Sequence, residues 1–130
     1  MKITPINKLN PRVWGITVNF KVLKINEIRK VNFKDGSEHE VCDVLITDES
    51  SKILFNLWDD KIKMIKENEN FQVNEAKLIV FNSVMKLAMS KQSEILKIDE
   101  KINVIPTENM SEKKFKPIKT PYFRRHYPKT

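Results

Sequence analysis

Cysteine occurs once in this 130-residue chain, at Cys42, and glycine only twice, at Gly15 and Gly36. One thiol excludes an internal disulfide and a multi-thiolate zinc centre, and makes a reducing, cytoplasmic setting the default expectation. No apolar run approaches the ~20 residues that a membrane span needs, and Met1-Lys2-Ile3-Thr4-Pro5 has no signal-peptide layout. Histidine is nearly as scarce. His39 and His126 lie far apart, and neither has a partner at the spacing of a nucleophile relay or a metal site. Asp48-Glu49 and Asp59-Asp60 sit at a turn and at a helix start, where acids serve local hydrogen bonding. The expectation is a protein that is not an enzyme, with no catalytic residue, metal or cofactor.

What is present is basic. The formal charge is +7, with 40% hydrophobic and 32% charged residues, ordinary for one domain. Lysine outnumbers arginine 20 to 4, and isoleucine and asparagine are abundant, which points to AT-rich coding behind part of the lysine excess. Residues 1–105 carry a net charge of +2 and residues 106–130 a net of +5. The division expected is therefore a folded domain over 1–105 and a basic, aromatic-containing tail over 106–130. Pro106, Pro117, Pro121 and Pro128 break regular structure in that tail.

Period-two alternation dominates the domain. Ile16, Val18, Phe20 and Val22 share one face, and the phase then slips so that Leu23 and Ile25 continue the apolar series. Such a slip inside a long strand reads as a β-bulge. Lys34-Asp35-Gly36-Ser37 is a hairpin signal, and a second strand follows from His39 to Thr47. A third strand runs through Ile53 to Trp58. Asp59 or Asp60 then stands as the cap of a short helix, Lys61 to Lys66, with Ile62 and Ile65 facing inward. A fourth strand, Phe71 to Phe81, slips phase near Asn74-Glu75, and Val84 to Ser90 makes a fifth; Ser93 to Val104 reads as an extension or a re-paired strand, or as a short helix. The pattern predicts an all-β fold, a five-stranded Greek-key OB barrel with a short helix between strands three and four. Strand count alone also permits an SH3-like barrel; the placement of the helix favours the OB arrangement.

Within the third strand, Ile53, Phe55 and Leu57 share the core face, whereas Trp58 falls on the opposite face with Leu54 and Asn56. A large flat ring on the open face of a basic sheet is what stacking on an unpaired base requires. Phe81 likewise lies opposite its strand's core set. By the same alternation, Lys21, Lys77 and Lys86 project to the open face.

Leu9-Asn10-Pro11, Val22-Leu23, Arg29, Lys34-Asp35-Gly36, Asp48-Glu49-Ser50, Leu57-Trp58-Asp59-Asp60 and Ile65-Lys66-Glu67 follow one another over nearly 90 residues in an order and spacing that together form a pattern. In these stretches the chain resembles the single-OB-fold, single-stranded DNA-binding proteins of the archaeal (crenarchaeal) type, a pattern shared by the SOSS-complex single-stranded DNA-binding subunit. The resemblance implies base stacking by Trp58 and Phe81 and backbone contacts from Arg29 and Lys34. Lys77 stands where that family carries another aromatic, and Ser51 and Ser83 stand where it has turn glycines. Phe33 is a candidate replacement for the missing platform, and Val31 a candidate to pack on a base or sugar. Trp14 has no matching family aromatic and reads as a plug at the barrel end.

The site expected is therefore Trp58, Phe81, Arg29, Lys34, Lys77, Lys86, Lys21, Val31 and Phe33, acting on single-stranded DNA, or on RNA, since stacking and phosphate contacts serve either polymer. The setting expected is a monomer in the nucleoid, serving replication, repair or transcription. The competing expectation is a protein-interaction module of a DNA-processing assembly. The tail, from Lys113 through Tyr122, Phe123, Arg124, Arg125 and Tyr127, suits added nucleic-acid affinity, a protein partner, or simple solubilisation.

Overall fold

A computed structural model of the chain describes residues 2–99 together with Ile102 and Met110. Six strands follow in order: β1 Trp14–Ile25, β2 Arg29–Asn32, β3 Glu38–Thr47, β4 Lys52–Trp58, β5 Asn70–Phe81 and β6 Val84–Lys97. Their order in the sheet is β1-β5-β6-β4-β3-β2, and β1 also pairs with β3. That extra pairing closes β1, β5, β6, β4 and β3 into a five-stranded barrel, and leaves β2 as a short flap on the free part of β3. β4 and β6 run parallel; the other pairs are antiparallel. This is the expected OB barrel.

Closure needs bends, and the bends lie where the phase slips. β1 shifts register between Val22 and Lys24, so that it pairs with β5 on one side and turns to β3 on the other. β5 shifts between Asn74 and Ala76, with Glu75 at a positive φ of 50°. Opposite it, the hydroxyls of Ser90 and Ser93 donate to the Glu75 carbonyl at 2.8 and 2.6 Å. These bonds take up the carbonyl that the bulge leaves without a ladder partner.

Val18, Phe20, Val22, Val44, Ile46, Ile53, Phe55, Leu57, Val73, Met85 and Leu87 are buried, following the alternation in β1, β4 and β6, whereas Val80, in phase with Ala76 and Leu78, is exposed near the end of β5. Phe20 lies edge-on to Phe55, centroids 5.5 Å apart, and against Phe71 at 6.0 Å. Fully burying each such side chain stabilises the fold by about 1.5–3 kcal/mol. Ile102 and Met110 are also buried, and Met110 joins the core cluster. Otherwise the 106–130 tail, including Tyr122, Phe123 and Tyr127, lies outside the described residues.

One local expectation is corrected. The short helix is a 3-10 turn, Asp59–Met64, and no side chain caps it. Asp59 instead bonds the Glu40 N–H at 2.9 Å and His39 at 2.8 Å, which ties the start of the helix to β3. Of the two readings after Ser93, the strand is the one found: β6 extends through Lys97, and Glu94–Lys97 re-pairs with β5 after the bulge. At the β5–β6 turn, Asn82 and Ser83 both take positive φ, 53° and 66°, the pattern of a tight type I′ hairpin made without glycine.

Candidate nucleic-acid interface

Cross-strand register assembles the outer face. Directly paired residues share a face of a sheet. One row runs Trp14, Lys77, Ala88, Asn56, Asp43 across β1, β5, β6, β4 and β3. A second row runs Arg29, Val41, Trp58 across β2, β3 and β4. Between and beside them lies an open groove of about 540 Å³, lined among others by Trp58, Lys61, Lys77, Ile79, Met89 and Lys91. A floor of aliphatic and aromatic atoms with three cations around it suits a ligand that alternates flat rings with negative charge.

Trp58 is 37% exposed, at the C-terminal end of β4. Its indole Nε1–H donates to Asn56 Oδ1 at 2.7 Å, and Phe33 meets it at 5.9 Å and 62°. Phe33 leans on the His39 ring, centroids 4.1 Å apart. His39 in turn sits between Ser37 Oγ at 2.9 Å and Asp59 Oδ2 at 2.8 Å. The Glu40 N–H and the His39 bond hold the Asp59 carboxyl below the ordinary carboxylate range. The β2–β3 hairpin is thereby fastened to the end of β4, and Phe33, His39 and Trp58 form one aromatic cluster.

The remaining expected residues divide. Arg29 is exposed and shares the row of Trp58, two strands or ~10 Å away. Val31 is half-buried opposite His39, and Lys34 is exposed on the turn beside Phe33. Lys77 lines the groove. Phe81 is 65% exposed beside the β5–β6 turn and does not fold back onto the core.

Lys86 shares the face, but its ammonium is held by Asp43 Oδ2 at 2.7 Å, while Asn56 donates to Asp43 Oδ1 at 3.0 Å. Burial pushes the Asp43 carboxyl up, yet the bonds from Asn56 and Lys86 outweigh it and the group lies below its ordinary range. Lys86 is therefore a paired cation. Lys21 pairs with Thr47 and with Asn70, seven residues along β5 from Lys77, so about 20 Å of strand separates it from the groove.

Trp14 is corrected outright. It is 69% exposed and plugs nothing; the Lys77 ammonium stands 5.6 Å from its ring centroid. Lys61 and Lys91 also escaped the sequence reading, because one lies on an irregular 3-10 turn and the other inside the β6 bulge, where alternation carries no information. Among the described residues, no group of three or more His, Cys, Asp or Glu side chains is placed to hold a metal ion. Burial pushes the Cys42 thiol up, the opposite of an activated nucleophile. No helix of the described residues is long and apolar enough to cross a membrane.

The fold and this face define an OB-fold protein with an aromatic, cation-fringed outer surface. A family model, the single-stranded DNA binding protein Ssb-like OB fold, matches residues 9–97, and the chain belongs to that family. It is similar to the single-stranded DNA binding protein Ssb of Saccharolobus solfataricus, 22% identical over 95 residues, which are 73% of this chain and 64% of that protein. The chain thus matches just under two thirds of that relative's length. Among solved structures it is similar to a hypothetical protein of Arabidopsis thaliana, with a TM-score of 0.77 and 20% identity over 92% of this chain and 90% of that one. DNA binding domain A of S. cerevisiae replication protein A superimposes with a TM-score of 0.61 and 21% identity, over 78% of this chain and 97% of that one.

Proposed function

We propose that this protein binds single-stranded DNA without strong sequence preference, laying the strand across the outer face of β4, β5 and β6. The observation that carries the proposal is Trp58: a half-exposed indole, fixed by Asn56 and Phe33, at the edge of a groove bordered by Lys61, Lys77 and Lys91. Every base has a π-face, so stacking on Trp58, Phe33 and Phe81 tolerates most sequences. Arg29, Lys34, Lys61 and Lys77 take phosphates, and Val31 packs beside them. Lys86 acts mainly through Asp43, and Lys21 lies too far round the barrel to join. The family described above supports this reading.

The finer assignments belong to the same proposal. The protein acts as a monomer that protects and handles single strands during replication, repair or transcription, in the nucleoid. Its basic tail meets either the strand or a DNA-processing partner. No step of this work requires catalysis or a cofactor.

Intrinsic tryptophan fluorescence during titration with oligo-dT, duplex DNA and oligo-U, each at two salt concentrations, tests the proposal. Quenching by oligo-dT that weakens with salt, with little response to duplex, is expected. Tighter binding of oligo-U would reassign the ligand to RNA. No binding of either single strand at low salt would overturn the reading in favour of a protein-interaction module.

A further inference from the structure

By period-two alternation Trp14 belongs with Ile16, Val18 and Phe20, on the core side of β1. The structure puts it on the other side. Register shifts between Trp14 and Ile16, where Gly15 takes a positive φ of 68°. The extra residue reverses the phase of the strand, so Ile16 is buried opposite Ala76 while Trp14 faces out opposite Lys77. One of only two glycines in the chain occupies the position that makes this reversal, a conformation that side-chain-bearing residues adopt at a cost.

An indole that is 69% exposed gains little from folding. Its location is informative, because Lys77 lines the groove that Trp58 borders, and Trp14 is the cross-strand neighbour of Lys77. Continuing from the groove across β5 therefore leads directly onto the Trp14 ring. We propose that Trp14 is a further stacking platform for single-stranded DNA, which carries the bound strand over β5 onto β1.

The proposal rests on the function argued above and adds a subsite to it. Lys77 supplies charge on β5, and the ring comes from the strand next door. In the free protein the Lys77 ammonium is near the Trp14 ring. Such an exposed cation–π contact is worth only a factor of about two to five. Stacking of a base is worth a factor of about five to one hundred. The base therefore displaces the ammonium, which turns to the adjoining phosphate.

Trp14 and Trp58 are the two tryptophans of the chain, so Trp58→Phe leaves Trp14 as the sole indole reporter and keeps a stackable ring at position 58. Saturating this variant with oligo-dT should quench and shift the Trp14 emission. In the otherwise unchanged protein, Trp14→Ala should weaken oligo-dT binding about five- to one-hundredfold, and Trp14→Phe should restore most of it. Trp14 is exposed, so the melting temperature of Trp14→Ala should match the parent, which separates lost contact from lost fold. If the parent binds oligo-dT while Trp14 emission stays constant at saturation and Trp14→Ala binds equally well, the subsite is refuted and the Trp58 face stands. If the parent itself fails to bind, the functional reading has failed first.

Discussion

At one end of the outer face the aromatic ring is braced on two sides; at the other it stands clear of the barrel. Trp58 is hydrogen-bonded to Asn56 and flanked by Phe33, which rests on a histidine fixed by Ser37 and Asp59. Phe81, six residues or about 20 Å of strand away, projects beside a two-residue turn, and among the described residues no other ring lies against it. Both rings offer a π-surface. They differ in what a ligand must still immobilise. Ordering a free side chain at an interface costs about 0.5–1.5 kcal/mol, a cost already met at Trp58 during folding and still outstanding at Phe81. The braced end should anchor a strand, and the free end should adapt to it.

Trp58→Ala should therefore have the largest effect on oligo-dT binding, a loss of about 2–3 kcal/mol, the upper part of the range for one stacked base. Fluorescence anisotropy with a labelled oligonucleotide measures it. Phe81→Ala should cost less, about 1 kcal/mol in the same assay. A larger loss at Phe81 than at Trp58 would invert the comparison. Phe33→Leu removes the brace and a stacking ring but keeps an apolar side chain, and should cost about 1 kcal/mol of binding. Emission anisotropy of Trp58 in the free protein should fall with it.

The cations sharpen the contrast further. Lys61→Ala should lower the slope of log affinity against log salt by about 0.7, the value for one phosphate contact on a single strand. Lys86→Ala should leave that slope unchanged, since its charge belongs to Asp43. It should instead lower stability at neutral pH, by about 1–3 kcal/mol, by leaving a largely buried carboxylate with Asn56 as donor but without its countercharge. The Asp43 carboxyl is held below its ordinary value in the folded state. Its stabilisation is thus complete above the unfolded pKa near ~3.9 and fades as pH falls through the lower folded value. The stability gap between parent and Lys86→Ala should close over the same acid range in urea titrations.

Much of the barrel is legible in the sequence because closure depends on alternation and its interruptions. The slips at Val22-Leu23 and Asn74-Glu75 each fall inside a long alternating run, so an out-of-phase residue stands out, and both are bulges. The reversal at Gly15 is invisible for the opposite reason. Only Trp14 precedes it in the strand, and one residue cannot display a phase. The exposed side of Trp14 was lost with it. β2 is four residues long and polar, too short for a period, although Phe33 at its end could be singled out by type. The Asp43–Lys86 pair joins strands 43 positions apart, a proximity that only the fold creates.

Where a single strand touches the barrel decides the role of the Trp58 face. Amide and indole chemical-shift mapping with a short oligo-dT locates that contact without altering the protein. The expected shifts centre on the Trp58 Nε1–H, Asn56, Lys77, Ile79 and Met89, fading toward Asn19, Gln72 and Lys97 on the far wall. Shifts concentrated on that far wall, with the Trp58 indole unmoved at saturation, would contradict it.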